Sequence, residues 1–179
     1  MGKSNIEWLG EHLRAKTQSF DNEIVSGGKK DIAPWEIRCA CFSKIETKLA
    51  KALASLYTWQ HKDKDAYLYV LDHLAKIMIK EAQIQNLEPK IKSISLEEMA
   101  ILQARMILEF ELNPELENVY TSYGRIYFAG IAAHGMKYDA YRKTWMKFEK
   151  LMLVAIVNAE WEIEKAVSDY RRNLNIQEA

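Results

Sequence analysis

The segment Phe128-Ala-Gly-Ile-Ala-Ala-His-Gly135 leads into Met136–Ala179, a stretch of 44 residues without glycine or proline. Glycine readily adopts the left-handed backbone conformation at which many helices end, so Gly135 predicts a helix boundary. The absence of helix breakers after it predicts one long helix over 137–174, preceded by a short helix over 125–134. Apolar residues follow the long helix at steps of three and four, with one slip, as a buried stripe requires. The stripe consists of Tyr141, Trp145, Phe148, Met152, Ala155, Ala159, Ile163, Ala166 and Tyr170.

Most of the remaining chain is equally poor in residues that break helices. No glycine lies between Gly28 and Gly124, and 54 residues separate Pro34 from Pro89. Helix starts are indicated by the capping-box pairs Ser4/Glu7 and Ser95/Glu98 and by Asn113-Pro114-Glu115. The predicted helices are 5–18, 34–60, 64–86, 96–112, 114–123, 125–134 and 137–174, with a flexible loop over 19–33. We therefore predict an all-α protein, a single-domain helical bundle over 1–179 of about six or seven helices.

Composition limits the kinds of partner that the whole molecule attracts. The chain has 179 residues, of which 49% are hydrophobic, so it is long enough to form a sizeable core. Lysine plus arginine equals aspartate plus glutamate at 25 each, so no global field draws the protein to nucleic acid or an acidic membrane. Charged residues near the start and the lack of a long uncharged apolar run predict a soluble, cytoplasmic protein without a membrane partner.

Charge is nevertheless sorted along the chain. Residues 97–117 carry six acids and one base, whereas residues 136–150 carry five bases and two acids. Five tyrosines also lie close together in sequence, namely Tyr120, Tyr123, Tyr127, Tyr138 and Tyr141. Tyrosines at the edge of a core present hydroxyl groups to a partner, phosphate included. Any electrostatic function is therefore expected to be local.

Helical geometry predicts a positively charged face at the start of the last helix. If the apolar stripe faces the core, the outward positions are Tyr138, Asp139, Arg142, Lys143, Met146 and Lys147. Cations there suit phosphate oxygens, and Arg142 is placed to read guanine in a major groove. The acids Asp139 and Glu149 oppose such binding because they repel phosphate. The predicted DNA-binding residues are Arg125, Lys137, Tyr138, Arg142, Lys143 and Lys147.

One short segment, Ile131-Ala132-Ala-His-Gly135-Met136 followed by Tyr141, resembles the helix-turn-helix of bacterial and phage regulators, including phage late antiterminators. The resemblance implies a supporting helix over 125–134, a recognition helix from 138 onward, and Met136 tucked under the turn. It differs from the usual pattern at Ile131, where a small residue is expected because the two helices cross closely. The implied function is that of a small non-enzymatic DNA-binding regulator or accessory protein of phage origin.

Residues suited to catalysis are scattered along the chain. The histidines are His12, His61, His73 and His134, and none has the spacing of a di-iron bundle or of a zinc protease helix. Cys39 and Cys41 diverge on a helix and are predicted to be small buried hydrophobes. Gly27-Gly28-Lys29-Lys30 lacks the spacing of a phosphate-binding loop. We therefore predict no enzymatic activity, no catalytic or metal-binding residue and no cofactor.

A second function stays open at this point, that of a helical protein–protein interaction module, either an adaptor or an inhibitor of a host complex. Its surface would be an acidic helical face that mimics a polyanion or the apolar stripe of the last helix. The acidic residues proposed for partner binding are Glu109, Glu111, Glu115 and Glu117. A straight helix over 137–174 is longer than a compact domain of this size, so it either breaks or projects. A projecting stripe would favour a homodimer through the C-terminal helix.

Overall fold

A computed structural model describes residues 40–59 and 63–177 of the chain. Within these residues all regular structure is helical, which confirms the all-α prediction. Helix 5–18, the loop over 19–33, the beginning of helix 34–60, Cys39, His12 and His61 lie outside the described residues. The helices are α1 (Lys48–Trp59), α2 (Lys64–Ile84), α3 (Leu96–Leu112), α4 (Leu116–Val119), α5 (Ser122–Ala129), a 3-10 helix (Ile131–His134), α6 (Tyr138–Thr144) and α7 (Met146–Gln177).

The described residues belong to two compact units. One unit is Lys64–Asn158, and the other combines the chain up to Asp63 with the chain from Ala159 onward. Helix α7 contributes its first part to the former and its second part to the latter. Five residues of its predicted stripe are buried, namely Phe148, Met152, Ala159, Ile163 and Ala166, whereas Ala155 and Tyr170 are half-buried. Ile156 and Val167, which the prediction did not include, are buried in addition. The far half of the predicted stripe is therefore covered within the chain and is not the free surface that the dimer prediction assumed.

Helices α2 and α3 pack along each other in the unit Lys64–Asn158, and both predicted spans are confirmed. Their buried faces carry Val70, Leu74 and Met78 on α2 and Met99, Met106 and Ile107 on α3. The predicted start of α3 is also confirmed, because the Glu98 backbone N–H donates to Ser95 Oγ at 3.1 Å. The Ser95 hydroxyl thus satisfies one of the backbone donors that a helix start leaves without a partner.

The predicted helix over 114–123 is wrong, because this part of the chain folds into α4 and the start of α5. Asn113 does not cap a helix that follows it; its side-chain amide donates to the Glu109 carbonyl at 3.1 Å. That bond completes the end of α3. Thr121 supplies the next start, since its hydroxyl accepts the Gly124 backbone N–H at 3.1 Å. Local hydrogen bonding by Asn113 and Thr121 therefore sets the boundaries here.

The predicted helix over 125–134 is also interrupted. Helix α5 ends at Ala129, and Gly130 takes the left-handed conformation with φ 86°. A 3-10 helix follows and ends at Gly135, which is left-handed as well, with φ 86°. The boundary predicted at Gly135 is confirmed, and Met136 after it is buried. Ile131, the bulky residue of the helix-turn-helix resemblance, is completely buried in the 3-10 helix.

The predicted continuous helix over 137–174 breaks at Trp145. Helix α6 ends at Thr144 and α7 begins at Met146. The Trp145 carbonyl accepts the buried Gln103 side-chain amide at 3.1 Å and the Phe148 backbone N–H at 3.0 Å. Leaving a buried amide donor without an acceptor is costly in free energy. The hydrogen bond from Gln103 therefore favours a Trp145 carbonyl that points out of the regular helical hydrogen-bond pattern.

The other unit shows a break in the predicted helix over 34–60. Residues 40–44 are helical, 45–47 are not, and α1 starts at Lys48. Thr47 caps α1, with its hydroxyl accepting the Ala50 backbone N–H at 3.2 Å. Glu162 of α7 receives the Glu46 and Thr47 backbone N–H groups at 2.5 and 2.8 Å. A carboxylate from a distant part of the sequence therefore completes this helix start.

Candidate functional site

Helix α6 carries most of the predicted DNA-binding residues on its exposed surface. Lys137 immediately precedes the helix, and Arg142 and Lys143 lie in its last turn. All three side chains are exposed. The Arg142 guanidinium lies 3.7 Å from the Asp139 carboxylate, one turn earlier. Because exposed pairs of this kind contribute little free energy, Arg142 remains available to a phosphate.

Lys147 extends the positive charge onto the start of α7. Its exposed ammonium group donates to the side-chain carbonyl oxygen of Gln85, at the end of α2, and lies 5.1 Å from the ring centroid of Phe148. Both partners are uncharged, so these contacts orient the side chain without neutralising it. Lys147 therefore adds to the same basic surface as Arg142 and Lys143.

Arg125 is placed differently from the other predicted DNA-binding residues. Its side chain is only 23% exposed and lies 3.7 Å from Glu149. The guanidinium carbon is also 4.7 Å from the ring centroid of Phe110. A cation held between a carboxylate and an aromatic ring contributes to the interior. Arg125 was predicted to lie near the exposed cations, but its side chain is mostly buried and held by Glu149 and Phe110.

Glu149, which was predicted to repel phosphate from the groove-facing helix, is buried. One carboxylate oxygen accepts the Tyr141 hydroxyl at 2.6 Å, and the other faces Arg125. Burial raises the pKa of Tyr141 well above its ordinary value, and the neighbouring Glu149 carboxylate adds to the shift. Helices α5, α6 and α7 are therefore linked by one internal polar network, and the acid that would repel phosphate is removed from the surface.

The turn before α6 is fixed to the connection between α2 and α3. Ser93 Oγ donates to the His134 carbonyl at 2.7 Å, and the His134 imidazole bonds the Ser93 carbonyl through Nδ1 at 2.8 Å. The other ring nitrogen lies 3.8 Å from a Glu98 carboxylate oxygen. These contacts give His134 a structural role and set the direction in which the chain enters α6.

Tyrosines of the predicted cluster separate into inner and outer groups. Tyr120 packs against Phe110 and Phe128 with ring centroids 6.1 and 5.0 Å apart, and Tyr141 is buried. Tyr123, Tyr127 and Tyr138 instead form the outer tyrosine cluster, with centroids 5.2 Å apart for Tyr123 and Tyr127 and 5.4 Å for Tyr123 and Tyr138. The site prediction omitted Tyr123 and Tyr127. Their spacing of four residues on a helix is the signal that would have paired them.

A cleft of about 440 Å³ opens beside α6. Its wall is formed by Leu87, Glu88, Lys90, Ile91, Gly135, Met136, Lys137, Ala140, Thr144 and Trp145. Lys90, in the connection after α2, and Lys137 therefore border the same cavity. Glu88 borders it as well, so the segment after α2 brings one acid and one base to the cleft.

The acidic residues proposed for partner binding do not share one environment. Glu109 is half-buried and accepts the Tyr67 hydroxyl at 2.6 Å. Glu111 is half-buried in the last turn of α3, and Glu115 is exposed just before α4. Glu117 lies in α4, where only its backbone is described. Glu109 is therefore committed to an internal bond, which weakens the expectation of one continuous acidic face.

A different apolar surface is exposed on the first part of α7. Leu151, Val154 and Val157 are 39%, 57% and 57% exposed. Their spacing of three residues keeps them near one side of the helix, away from the buried stripe. This exposed face was not predicted, because the sequence pattern pointed to the stripe that the chain itself covers.

Groups with the potential for covalent or acid–base chemistry are few among the described residues. Cys41 is buried, as predicted, and burial raises the pKa of its thiol to about 11, against the opposing effect of Lys44. In residues 40–59 and 63–177, no group of three or more histidine, cysteine, aspartate and glutamate side chains is arranged to hold a metal ion. No helix in the same ranges combines the length and apolarity of a membrane span.

No protein-family model matches the chain, and no curated protein or solved structure is significantly similar to it.

Proposed function

We propose that the protein binds DNA through the exposed cations of α6 and its flanks, as a small non-enzymatic regulator or accessory protein. The basic surface is defined by Lys137, Arg142, Lys143, Lys147 and Lys150. The observation that supports the proposal most strongly is the position of the two acids of residues 136–150. Glu149 is internal, and only Asp139 lies exposed among the five exposed bases of residues 136–150. The surface is therefore more positive than the sequence composition indicates.

Phosphate contact accounts better for this surface than reading of bases along a groove. Helix α6 has seven residues, which span only about 10 Å. Lysine and arginine side chains around such a short helix reach phosphates on either side of it. Binding of this kind is governed by release of counterions and depends little on sequence.

The test is a binding titration of a fluorescently labelled 20-base-pair duplex, followed by anisotropy between 25 and 200 mM salt. We expect affinity to fall steeply with salt. The double variant Arg142→Ala/Lys143→Ala should weaken binding and reduce the slope of log K against log salt by about 2, since each lost phosphate contact contributes about 0.9.

The matched control is Lys64→Ala/Lys76→Ala, which removes two exposed cations from α2 and leaves the basic surface intact. It should bind as the wild type does. Absence of binding by the wild type at 25 mM salt would refute the proposal. Equal losses in the two double variants would mean that general charge, and not this surface, is responsible.

A second candidate function is association with a protein partner, and the exposed face Leu151–Val154–Val157 favours it. Apolar side chains that remain exposed on one side of a helix are typical of helix-in-groove or helix–helix interfaces. A second copy of the chain or another protein would cover this face. The mass of the protein in solution distinguishes self-association from binding of a different protein.

A further inference from the structure

The outer tyrosine cluster is formed by large rings at the surface of α5 and α6. Tyr123 and Tyr127 are 53% and 58% exposed. They follow each other by one helical turn, and their hydroxyl groups share a hydrogen bond of 2.9 Å. Tyr138 meets Tyr123 edge to face at the start of α6. Contacts within the cluster therefore hold exposed rings in fixed positions.

Rings arranged in this way present π-faces to solvent. Tyr123 and Tyr127 are more than half exposed and therefore do little to build the core, whereas Tyr138 is half-buried. The flat apolar surface of an exposed ring is suited to another flat group, and its restricted motion lowers the entropy lost when such a group binds. The cluster has the properties of a stacking platform.

The platform adjoins the basic surface. Tyr138 and Arg142 are separated by four residues on α6, so their side chains lie on the same side of the helix. Lys137 is the neighbour of Tyr138 in the chain. A ligand that covers Tyr138 consequently comes close to both cations, and this combination of rings and positive charge selects for a polyanion that carries flat groups.

We propose that the preferred ligand of the basic surface is single-stranded nucleic acid, whose bases stack on Tyr123, Tyr127 and Tyr138 while its phosphates contact Arg142 and the neighbouring lysines. This inference rests on the function proposed above and specifies its substrate. Base–aromatic stacking tolerates any sequence because every base has a π-face. In a duplex the faces of the bases are already stacked on one another, so no base face is free to stack on the tyrosine rings. A peptide would supply flat groups without the regular negative charge that the cations suit.

The experiment compares a labelled 20-nucleotide thymidine strand with a 20-base-pair duplex at the same salt concentration. We expect the wild type to bind the strand more tightly. Tyr123→Leu/Tyr127→Leu removes the rings and should weaken strand binding about 30-fold, as expected for the loss of one to two stacked bases. Duplex binding should change less than threefold, which also demonstrates that the variant is folded.

Two controls separate stacking from charge. Tyr123→Phe/Tyr127→Phe keeps both rings and should retain strand binding within about threefold. An abasic strand of the same length and charge, tested on the wild type alone, should bind about as weakly as the thymidine strand binds the leucine variant.

Three results decide the matter. Equal affinity for strand and duplex, or an abasic strand that binds as well as the thymidine strand, overturns the inference and leaves the proposed function standing. Absence of binding to every nucleic acid at 25 mM salt overturns both. Preference for the strand that is lost with the leucine variant and kept with the phenylalanine variant supports both.

Discussion

At the scale of single residues, burial determines what each charged or polar side chain contributes. Lys143 and Glu149 lie close in sequence, but Lys143 is exposed and Glu149 is internal. The buried carboxylate has two partners, Tyr141 and Arg125, and a buried charge is tolerated only with such partners. Glu149 was predicted to repel phosphate from the groove-facing helix, although helical spacing did not place it among the outward positions. Glu149 follows Phe148 and lies four residues after Trp145, so it borders the buried stripe, and its contacts with Tyr141 and Arg125 hold it inside.

The pKa of Tyr141 leads to a prediction about stability at alkaline pH. Its folded-state pKa is raised by burial and by Glu149, whereas an unfolded tyrosine titrates near pH 10. The stabilisation is therefore complete below pH 10 and is lost as pH rises toward the folded pKa. We expect the free energy of unfolding to fall by about 1.4 kcal/mol per pH unit above pH 10 from this group.

Urea denaturation at pH 8, 10 and 11 measures this effect. Tyr141→Phe should lower the free energy of unfolding by about 1–2 kcal/mol at pH 8, through loss of the bond to Glu149, and should flatten the alkaline decline. A smaller alkaline decline in the free energy of unfolding should remain in the variant, because the pKa of Tyr67 is also raised by burial and by its bond to Glu109. A variant as steep as the wild type would contradict the assignment. Tyr69→Phe, on α2, is the matched control.

At the scale of helices, a boundary was predicted correctly where the contacts that fix it are local in sequence, and was missed where they come from a distant segment. Spans of α2 and α3 were predicted because their stripes and the Ser95 cap are local features. Breaks at Gly130 and Trp145 were missed, although Gly135 was recognised. A glycine in a helical pattern is ambiguous without its φ angle, and the Trp145 carbonyl at the second break accepts a bond from Gln103, 42 residues away. No periodicity in one segment reveals such a partner.

The start of α1 allows a prediction about a cap supplied from a distant part of the sequence. Burial acts to raise the pKa of Glu162, but hydrogen bonds from Thr47 and from the Thr47 and Glu46 backbone N–H groups outweigh it, so the pKa is lowered. The carboxylate therefore stabilises the fold above its unfolded pKa, and this contribution disappears as pH falls through the lowered folded value. Glu162→Ala should cost about 1 kcal/mol at pH 7, as expected for a lost helix cap.

Thermal unfolding followed by circular dichroism at pH 7 and pH 3 provides the measurement. Glu162→Gln retains an acceptor and should be destabilised less than the alanine variant at pH 7. The difference between wild type and Glu162→Ala should be smaller at pH 3 than at pH 7, because the contribution of a carboxylate with a lowered folded pKa decreases once pH falls below its unfolded pKa. Glu164→Ala, two residues further along α7, is the matched control for loss of a carboxylate. A difference that does not depend on pH would exclude the charged cap.

At the scale of the whole molecule, a net charge of zero conceals a strongly local distribution. Counting along the sequence identified the basic segment 136–150 and its exposed lysines. It did not identify the platform formed by Tyr123, Tyr127 and Tyr138, because the three rings meet only when α5 and α6 fold together. The charged residues of the candidate site could therefore be predicted from the sequence, whereas the contacts between α5 and α6 that complete it could not.

The exposed face of α7 provides the last prediction, which concerns the state of assembly. Leu151, Val154 and Val157 remain exposed after the chain has folded, and covering them in a second copy would remove apolar surface from water. We expect multi-angle light scattering to give a mass near twice the 20.8 kDa of one chain at micromolar concentration. Val154→Glu/Val157→Glu should return the mass to that of a monomer, because charged side chains are costly in an apolar interface.

The control for this prediction is Leu68→Glu/Ile101→Glu, which introduces the same charges at exposed apolar positions of α2 and α3. It should leave the mass unchanged. A monomeric wild type would reject self-association and leave a different protein as the partner for the α7 face. If both double variants dissociate, the dimer is not formed through α7. Lys147 and Lys150 lie at the start of the same helix, so a dimer through Val154 and Val157 would present two basic surfaces to one nucleic acid. The glutamate variant should then lose more affinity for long strands, which reach both surfaces, than for short strands.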